Sequence, residues 1–213
     1  MRKTKIICTM GPATEREGVL EALVENGMNV ARFNFSHGSH AEQKVRMDRI
    51  KALRGEKDLP VAILLDTKGP EIRLKNFKDG SAQLKRGQVF TLTTGDEPGN
   101  ASFVGITCPQ LHEDVAPGTA ILLDDGLISM EVTSISGTDI ICEVQNDGVI
   151  SNHKGINVPG VHLSLPYMSE KDREDILFGI EQNVDIIAAS FVRTRDDVLE
   201  IRHLLEQNGG NGI

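Results

Sequence analysis

The hydrophobic rhythm of this sequence changes twice, and no other feature restricts the fold as much. Over residues 1–70, short apolar runs at 5–10, 30–35 and 61–66 alternate with helical segments at 15–26 and 41–54. Strands separated by helices imply parallel neighbours, because a parallel pair needs a crossover long enough to hold a helix. Over residues 71–166 the pattern becomes short alternating runs, such as 89–93, 127–132 and 140–144. Turn signals recur between them, among them Lys78-Asp79-Gly80, Glu97-Pro98-Gly99-Asn100, Asp124-Asp125-Gly126 and Asn146-Asp147-Gly148. Closely spaced strands and turns of this kind build an all-β meander or small barrel. After Pro166 the first rhythm returns, with a helix over 169–182, a strand over 185–191 and a helix over 196–207. The sequence predicts an α/β protein of four βα units, in 1–70 and 167–213, interrupted by an inserted all-β domain at 71–166.

Helix entries carry a common signal. Thr14-x-x-Glu17, Ser39-x-x-Glu42, Ser169-x-x-Asp172 and Thr194-x-x-Asp197 all place an acid three residues after a hydroxyl. The hydroxyl accepts from a free backbone N–H, and the carboxylate meets the positive end of the helix dipole. Apolar spacing then puts Val19, Leu20, Leu23 and Val24 on one face of the first helix, and Val198, Ile201 and Leu205 on one face of the last.

Charge and cysteine content exclude several classes. Asp and Glu total 31 against 23 Lys and Arg, a formal charge of −8, and there is no Trp and one Tyr. A phosphate backbone attracts basic surfaces and stacked bases need aromatic platforms, so nucleic acid is not an expected partner. No apolar run approaches the roughly 18 residues that a membrane helix needs. The basic start, Met1-Arg2-Lys3-Thr4-Lys5, is followed only by Ile6-Ile7-Cys8, too short for a signal-peptide core. Cys8, Cys108 and Cys142 are odd in number and far apart, which fits neither a disulfide framework nor a zinc site and points to a reducing cytoplasm.

In parallel βα folds, functional groups gather at the carboxyl ends of the strands. Along 31–37 the side chains alternate, so Arg32, Asn34 and Ser36 share one face while Phe33 and Phe35 share the other. The phenylalanines are expected to pack outward on helices and the polar set to face the barrel centre. A guanidinium there needs an anion or an acid. Asp66, at the end of the third strand, is the candidate acid, and an Arg–Asp pair that merely closes the barrel is the structural alternative. Asn34, Ser36, Asp66 and Thr67 offer hard oxygens with one formal charge, a set suited to a weakly charged cation or simply to capping strand ends. Lys68, Arg73 and Lys154 are cations near Gly or Pro turns. Ser36 and His37 are adjacent on a strand and point apart, so no nucleophile pair follows. Cys8, inside an apolar run, reads as core.

These strand ends resemble the pyruvate kinase family. The matching runs are Thr4-Lys5-Ile6-Ile7-Cys8-Thr9-Met10-Gly11-Pro12-Ala13-Thr14, Met28 through Gly38, Leu65 through Arg73, Asn152-His153-Lys154-Gly155-Ile156-Asn157-Val158-Pro159-Gly160, and Ala189-Ser190-Phe191-Val192-Arg193. The resemblance implies a TIM (β/α)8 barrel interrupted after its third strand by a β-barrel lid domain. It also implies phosphoryl transfer from phosphoenolpyruvate to ADP, giving pyruvate and ATP, in a cytoplasmic enzyme whose full-length form is a homotetramer. By the same resemblance Arg32 matches the arginine that contacts the transferred phosphate, and Asn34, Ser36, Asp66 and Thr67 match ligands of potassium. Asn34, Phe35, Ser36, His37, Arg73 and Lys154 match nucleotide contacts.

The resemblance stops short of a whole barrel. A (β/α)8 barrel takes about 250 residues, and four βα units make only half of one. The family's catalytic lysine, its Mg2+-binding acids and a substrate-binding threonine follow in later segments. The expectation is a chain that is inactive alone, and whose open sheet edges invite association. A nucleotide-binding or regulatory subunit that complements a partner is the alternative reading.

Overall fold

A computed structural model describes residues 3–213; Met1 and Arg2, at the head of the basic start, lie outside the described residues. Along the chain run β1 (Ile7–Thr9), a 3-10 turn (Pro12–Thr14), α1 (Val19–Glu25), β2 (Val30–Asn34), α2 (His40–Lys57) and β3 (Ala62–Asp66). Then come β4 (Ile72–Arg73), β5 (Ser81–Leu84), β6 (Val89–Thr93), β7 (Phe103–Gly105), α3 (Leu111–Asp114), β8 (Ala120–Leu123) and β9 (Ile128–Ser136). The remainder is β10 (Asp139–Val144), β11 (Gly148–Ser151), β12 (Gly155–Asn157), α4 (Glu170–Glu181), β13 (Ile186–Ala188) and α5 (Arg195–Gln207). The chain forms two compact units: Met1–Pro70 with Pro166–Ile213, and Glu71–Leu165. No helix among the described residues is long and apolar enough to cross a membrane.

The first unit is built on a parallel sheet in the order β1-β2-β3-β13, flanked by the longer helices. Its register sets Thr9 beside Arg32 and Asn34 beside Asp66, with Ala188 on the far side of Asp66. Phe33 and Phe35 are buried with Met47, Ile50 and Ile63, as their place on the alternating strand requires. Helix α4 approaches β3 closely at Gly179, where a Cβ would lie 2.8 Å from Leu65 Cδ1. Capping boxes at Ser39–Glu42, Ser169–Asp172 and Thr194–Asp197 open α2, α4 and α5.

One sequence expectation fails in this unit, and one helix face is only partly covered. Thr14 does not cap α1: its hydroxyl exchanges hydrogen bonds with the backbone of Gly11 inside the 3-10 turn, and α1 begins only after Gly18, at φ +74°. The local turn satisfies the hydroxyl before a helix can use it. Val198 lies on the predicted face of α5 but is half exposed, while Ile201, Leu204 and Leu205 are buried. The strands are also shorter than the apolar runs, most clearly β13.

In the second unit a seven-stranded sheet runs β4-β12-β8-β9-β10-β6-β7. Its two edge strands meet: Leu74, just after β4, bridges Ile106, just after β7, and the Lys75 N–H donates to Gly105 O at 2.7 Å. Closure of this kind removes both edges, and the interior is filled by a single apolar cluster that includes Leu84, Phe90, Leu92, Ile121, Met130 and Ile140. Two details depart from a plain all-β meander. A helical turn, α3, buries Leu111 in that cluster, and β6 pairs with β7 in parallel.

Burial raises the Cys108 thiol and pushes the Cys142 thiol up to about 12, keeping both protonated near neutrality, whereas Cys8 is only partly buried. Since the thiolate is the reactive form, a native-state alkylation time course at pH 8 should label Cys8 first, with Cys108 and Cys142 following only on unfolding. Rapid native labelling of Cys142 would contradict the closed barrel. The edges of the parallel sheet carry exposed Ile7 and Ile186. Sedimentation velocity should therefore show concentration-dependent self-association of the chain, and a monomer at all concentrations would count against it.

Candidate functional site at the strand ends

The polar site of the first unit follows from one register. Arg32 leaves β2 between Thr9 on β1 and the end of β3. Its Nε donates to Asp66 Oδ2 at 2.8 Å, its Nη2 pairs with the same oxygen, and its Nη1 donates to Thr9 Oγ1 at 2.8 Å. The other Asp66 oxygen accepts from Ser190 Oγ at 2.9 Å. With the Arg32 side chain 32% exposed and Asp66 14%, the carboxylate is the inner partner and the guanidinium keeps a solvent-facing portion. A planar fork held in this way is preorganised for the oxygens of a phosphate.

Asn34 sits beside Asp66 in the sheet, and its Oδ1 accepts from the Ser36 N–H at 2.9 Å, which folds the chain into a tight Asx turn. Thr67 is buried, with its N–H on Ala188 O at 3.1 Å and its Oγ1 accepting from the Ser190 N–H at 3.2 Å. Asn34 and Asp66 thus end β2 and β3, with Ser36 in the turn after β2 and Thr67 directly after β3. Their chemistry, oxygen donors with one carboxylate already offset by Arg32, fits a weakly charged cation. No group of three or more His, Cys, Asp or Glu that could hold a metal occurs among the described residues, so the donor set does not fit a carboxylate-rich divalent centre.

The loop after β3 depends on glycine. Gly69 has φ +66°, and a Cβ there would lie 2.6 Å from Ser190 O. Lys68 beside it is exposed. The Phe35 side chain is buried against Phe178 and His40, the outward packing that its place in the alternation predicts. His37 is exposed, and Ser36 and His37 form no nucleophile pair.

The second unit gathers its own cations. Gly155 on β12 is the register partner of Arg73 on β4, which brings Lys154 and Arg73 to adjoining strands. Arg73 Nη1 donates to His153 O at 2.6 Å, and its Nη2 meets Glu71 Oε1 at 2.7 Å. Lys154 Nζ lies 3.1 Å from Asp124 Oδ1. Both cations are more than a third exposed. Pairs so exposed contribute little to stability and exchange readily for another anion.

Two participants were not singled out from the sequence. Thr9 and Ser190 complete the Arg32–Asp66 network. Both lie within the matching runs given above, and Thr9 is also the register partner of Arg32.

A family model described as "Pyruvate kinase, barrel domain" matches residues 1–213. Over 214 residues the chain is 50% identical to a protein named pyruvate kinase from Clostridium perfringens, covering all of this chain and 45% of that protein. One of the same name from Clostridium acetobutylicum is 47% identical over 214 residues, with the same coverage. Another from Staphylococcus aureus is 52% identical over 213 residues, covering 99% of this chain and 36% of that protein. The chain spans less than half the length of the curated relatives it matches.

Removing Asp66 would leave Arg32 with a hydroxyl as its partner in a half-closed site. Asp66→Ala should lower stability by about 2 kcal/mol, and Ser190→Ala by about 1 kcal/mol. Urea unfolding measures both, and wild-type midpoints in both variants would mean that the network does not hold the strand ends.

Proposed function

This chain belongs to the pyruvate kinase family, and we propose that it supplies the substrate-phosphate arginine, the monovalent-cation oxygens and the nucleotide-facing cations for phosphoryl transfer from phosphoenolpyruvate to ADP, giving pyruvate and ATP. The observation that carries the reading is Arg32, held on Asp66 and Thr9 with part of its guanidinium open.

In phosphoryl transfer the transition state spreads negative charge over the equatorial oxygens, so catalysis is mostly positioning and electrostatic stabilisation. Arg32 orients the phosphate and donates to those oxygens. The Asp66–Thr9 anchor keeps it from reorganising as charge develops. Asn34, Ser36, Asp66 and Thr67 would hold potassium, which adds positive charge beside the phosphate without a proton to lose. On the second unit Arg73 and Lys154 release Glu71 and Asp124 and take nucleotide phosphates instead; Asn34, Ser36 and His37 supply further nucleotide contacts. Mg2+ is a requirement of the proposed reaction, and the family resemblance assigns its ligands and the catalytic lysine to residues other than those named here. A cytoplasmic homotetramer is the assembly that this reading implies.

Binding and turnover separate in this proposal. Calorimetry should show phosphoenolpyruvate binding to the chain in potassium, weakened about tenfold or more by Arg32→Lys, because an ammonium cannot reproduce the fork. The same 213-residue chain should form no ATP from phosphoenolpyruvate, ADP and Mg2+. Unchanged binding by Arg32→Lys removes the phosphate role. ATP formation by the chain alone overturns the assignment of the lysine and metal acids to other residues.

A further inference from the structure

We propose that the first two turns of α4 are a clamp that positions the two loops carrying the oxygen donors, with Lys171 and Asp175 gripping the loop from β2 to α2 and Asp172 gripping the loop after β3. None of these three side chains belongs to the donor set itself.

The β2–α2 loop is held from both sides. From α2, buried Gln43 donates through Nε2 to Asn34 O at 3.2 Å and to His37 O at 2.9 Å. From α4, Lys171 Nζ donates to Phe35 O at 2.8 Å and to Asp175 Oδ2 at 2.5 Å. The other Asp175 oxygen accepts from His40 Nε2 at 2.6 Å. A carboxylate can only accept, so that ring nitrogen carries its hydrogen. The His40 ring stacks on Phe178 of α4 at 4.4 Å and 14°. Residues 35 and 40 are thus both fastened to α4, and residues 36–39 span the gap between them.

The second grip is one residue away. Asp172 Oδ1 accepts from the Gly69 N–H at 2.9 Å, while Oδ2 closes the capping box with Ser169. Gly69 lies two residues after Thr67 and one after Lys68. Lys171, Asp172 and Asp175 therefore fix both loops relative to a single helix.

Burial argues for positioning over mere adhesion. The side chain of Asp175 is 1% exposed. Its ammonium partner Lys171 is 47% exposed, and a pair with one exposed partner adds little stability, so stability alone does not call for a carboxylate there. What the carboxylate does here is fix the ammonium of Lys171 over one backbone carbonyl and the imidazole of His40 at the start of α2.

Hydrogen exchange of the purified protein, resolved at residues 36–39 and at the β3 ladder, tests the clamp without reference to activity. Lys171→Met should speed exchange of the loop amides about tenfold while β3 keeps its protection, and Lys171→Arg should restore the loop. Unchanged loop exchange overturns the proposal. Equal acceleration of loop and ladder also overturns it, because the contact would then only stabilise the fold. If Lys171→Met fails to fold with Asp175 left without its ammonium partner, the double replacement Lys171→Met/Asp175→Leu removes the clamp without that buried charge, and the same outcomes apply. The role of the loops in binding a cation rests on the function proposed above and is read separately. Potassium chloride, compared with sodium chloride, should slow exchange at residues 34–37 of the wild-type protein. No difference between the salts would remove the cation reading while leaving the clamp result standing.

Discussion

The pairing of Arg32 with Asp66 governs the polar end of the parallel sheet. A guanidinium on the inward face of a strand is tolerable only with an anion beside it, and the register β2–β3 brings that anion within 2.8 Å of Nε. Other features follow from it. Thr9 on β1 and Ser190, two residues past the end of β13, occupy the hydrogen-bonding positions that the pair leaves over. The phenylalanines that alternate with Arg32 and Asn34 are driven to the helical side, where they build the core. The same alternation that makes the site polar makes the opposite face apolar.

The two units reach stability in different ways. The second closes its sheet through Leu74 and Ile106 and encloses one apolar cluster. The first keeps an open sheet with β1 and β13 at its edges and stabilises its strand ends with charge and hydrogen bonds. Cations in both units rest on internal carboxylates: Arg32 on Asp66, Arg73 on Glu71, Lys154 on Asp124. In a chain of net charge −8 each of these cations is neutralised locally by its own carboxylate.

The legible and illegible parts of the sequence differ in range. Three of the four hydroxyl-x-x-acid patterns open helices, because a capping box involves only four consecutive residues. The fourth fails at Thr14, where a 3-10 turn of equally short range takes the hydroxyl. Val198 fits the periodicity of α5 and is still half exposed, because spacing gives a face but not what covers it. The turn α3 is only four residues long, too short for a periodic signal. Gln43, Lys171, Asp172 and Asp175 read as ordinary polar helix residues, and their partners lie up to 136 positions away.

By itself the sequence determined the order of the main strands and longer helices, the interruption of the βα rhythm by a β-rich stretch, the polar strand face shared by Arg32 and Asn34, and the family. Each rests on periodicity, local capping or contiguous motifs, which act over a few residues. Only the tertiary structure decided that Ser190 and Thr9 complete the Arg32–Asp66 pair, and that Lys171 and Asp172 of α4 bond to the loops after β2 and β3. Those outcomes depend on strand register and helix packing. Both bring distant residues together through burial of the whole core, so no local pattern records them.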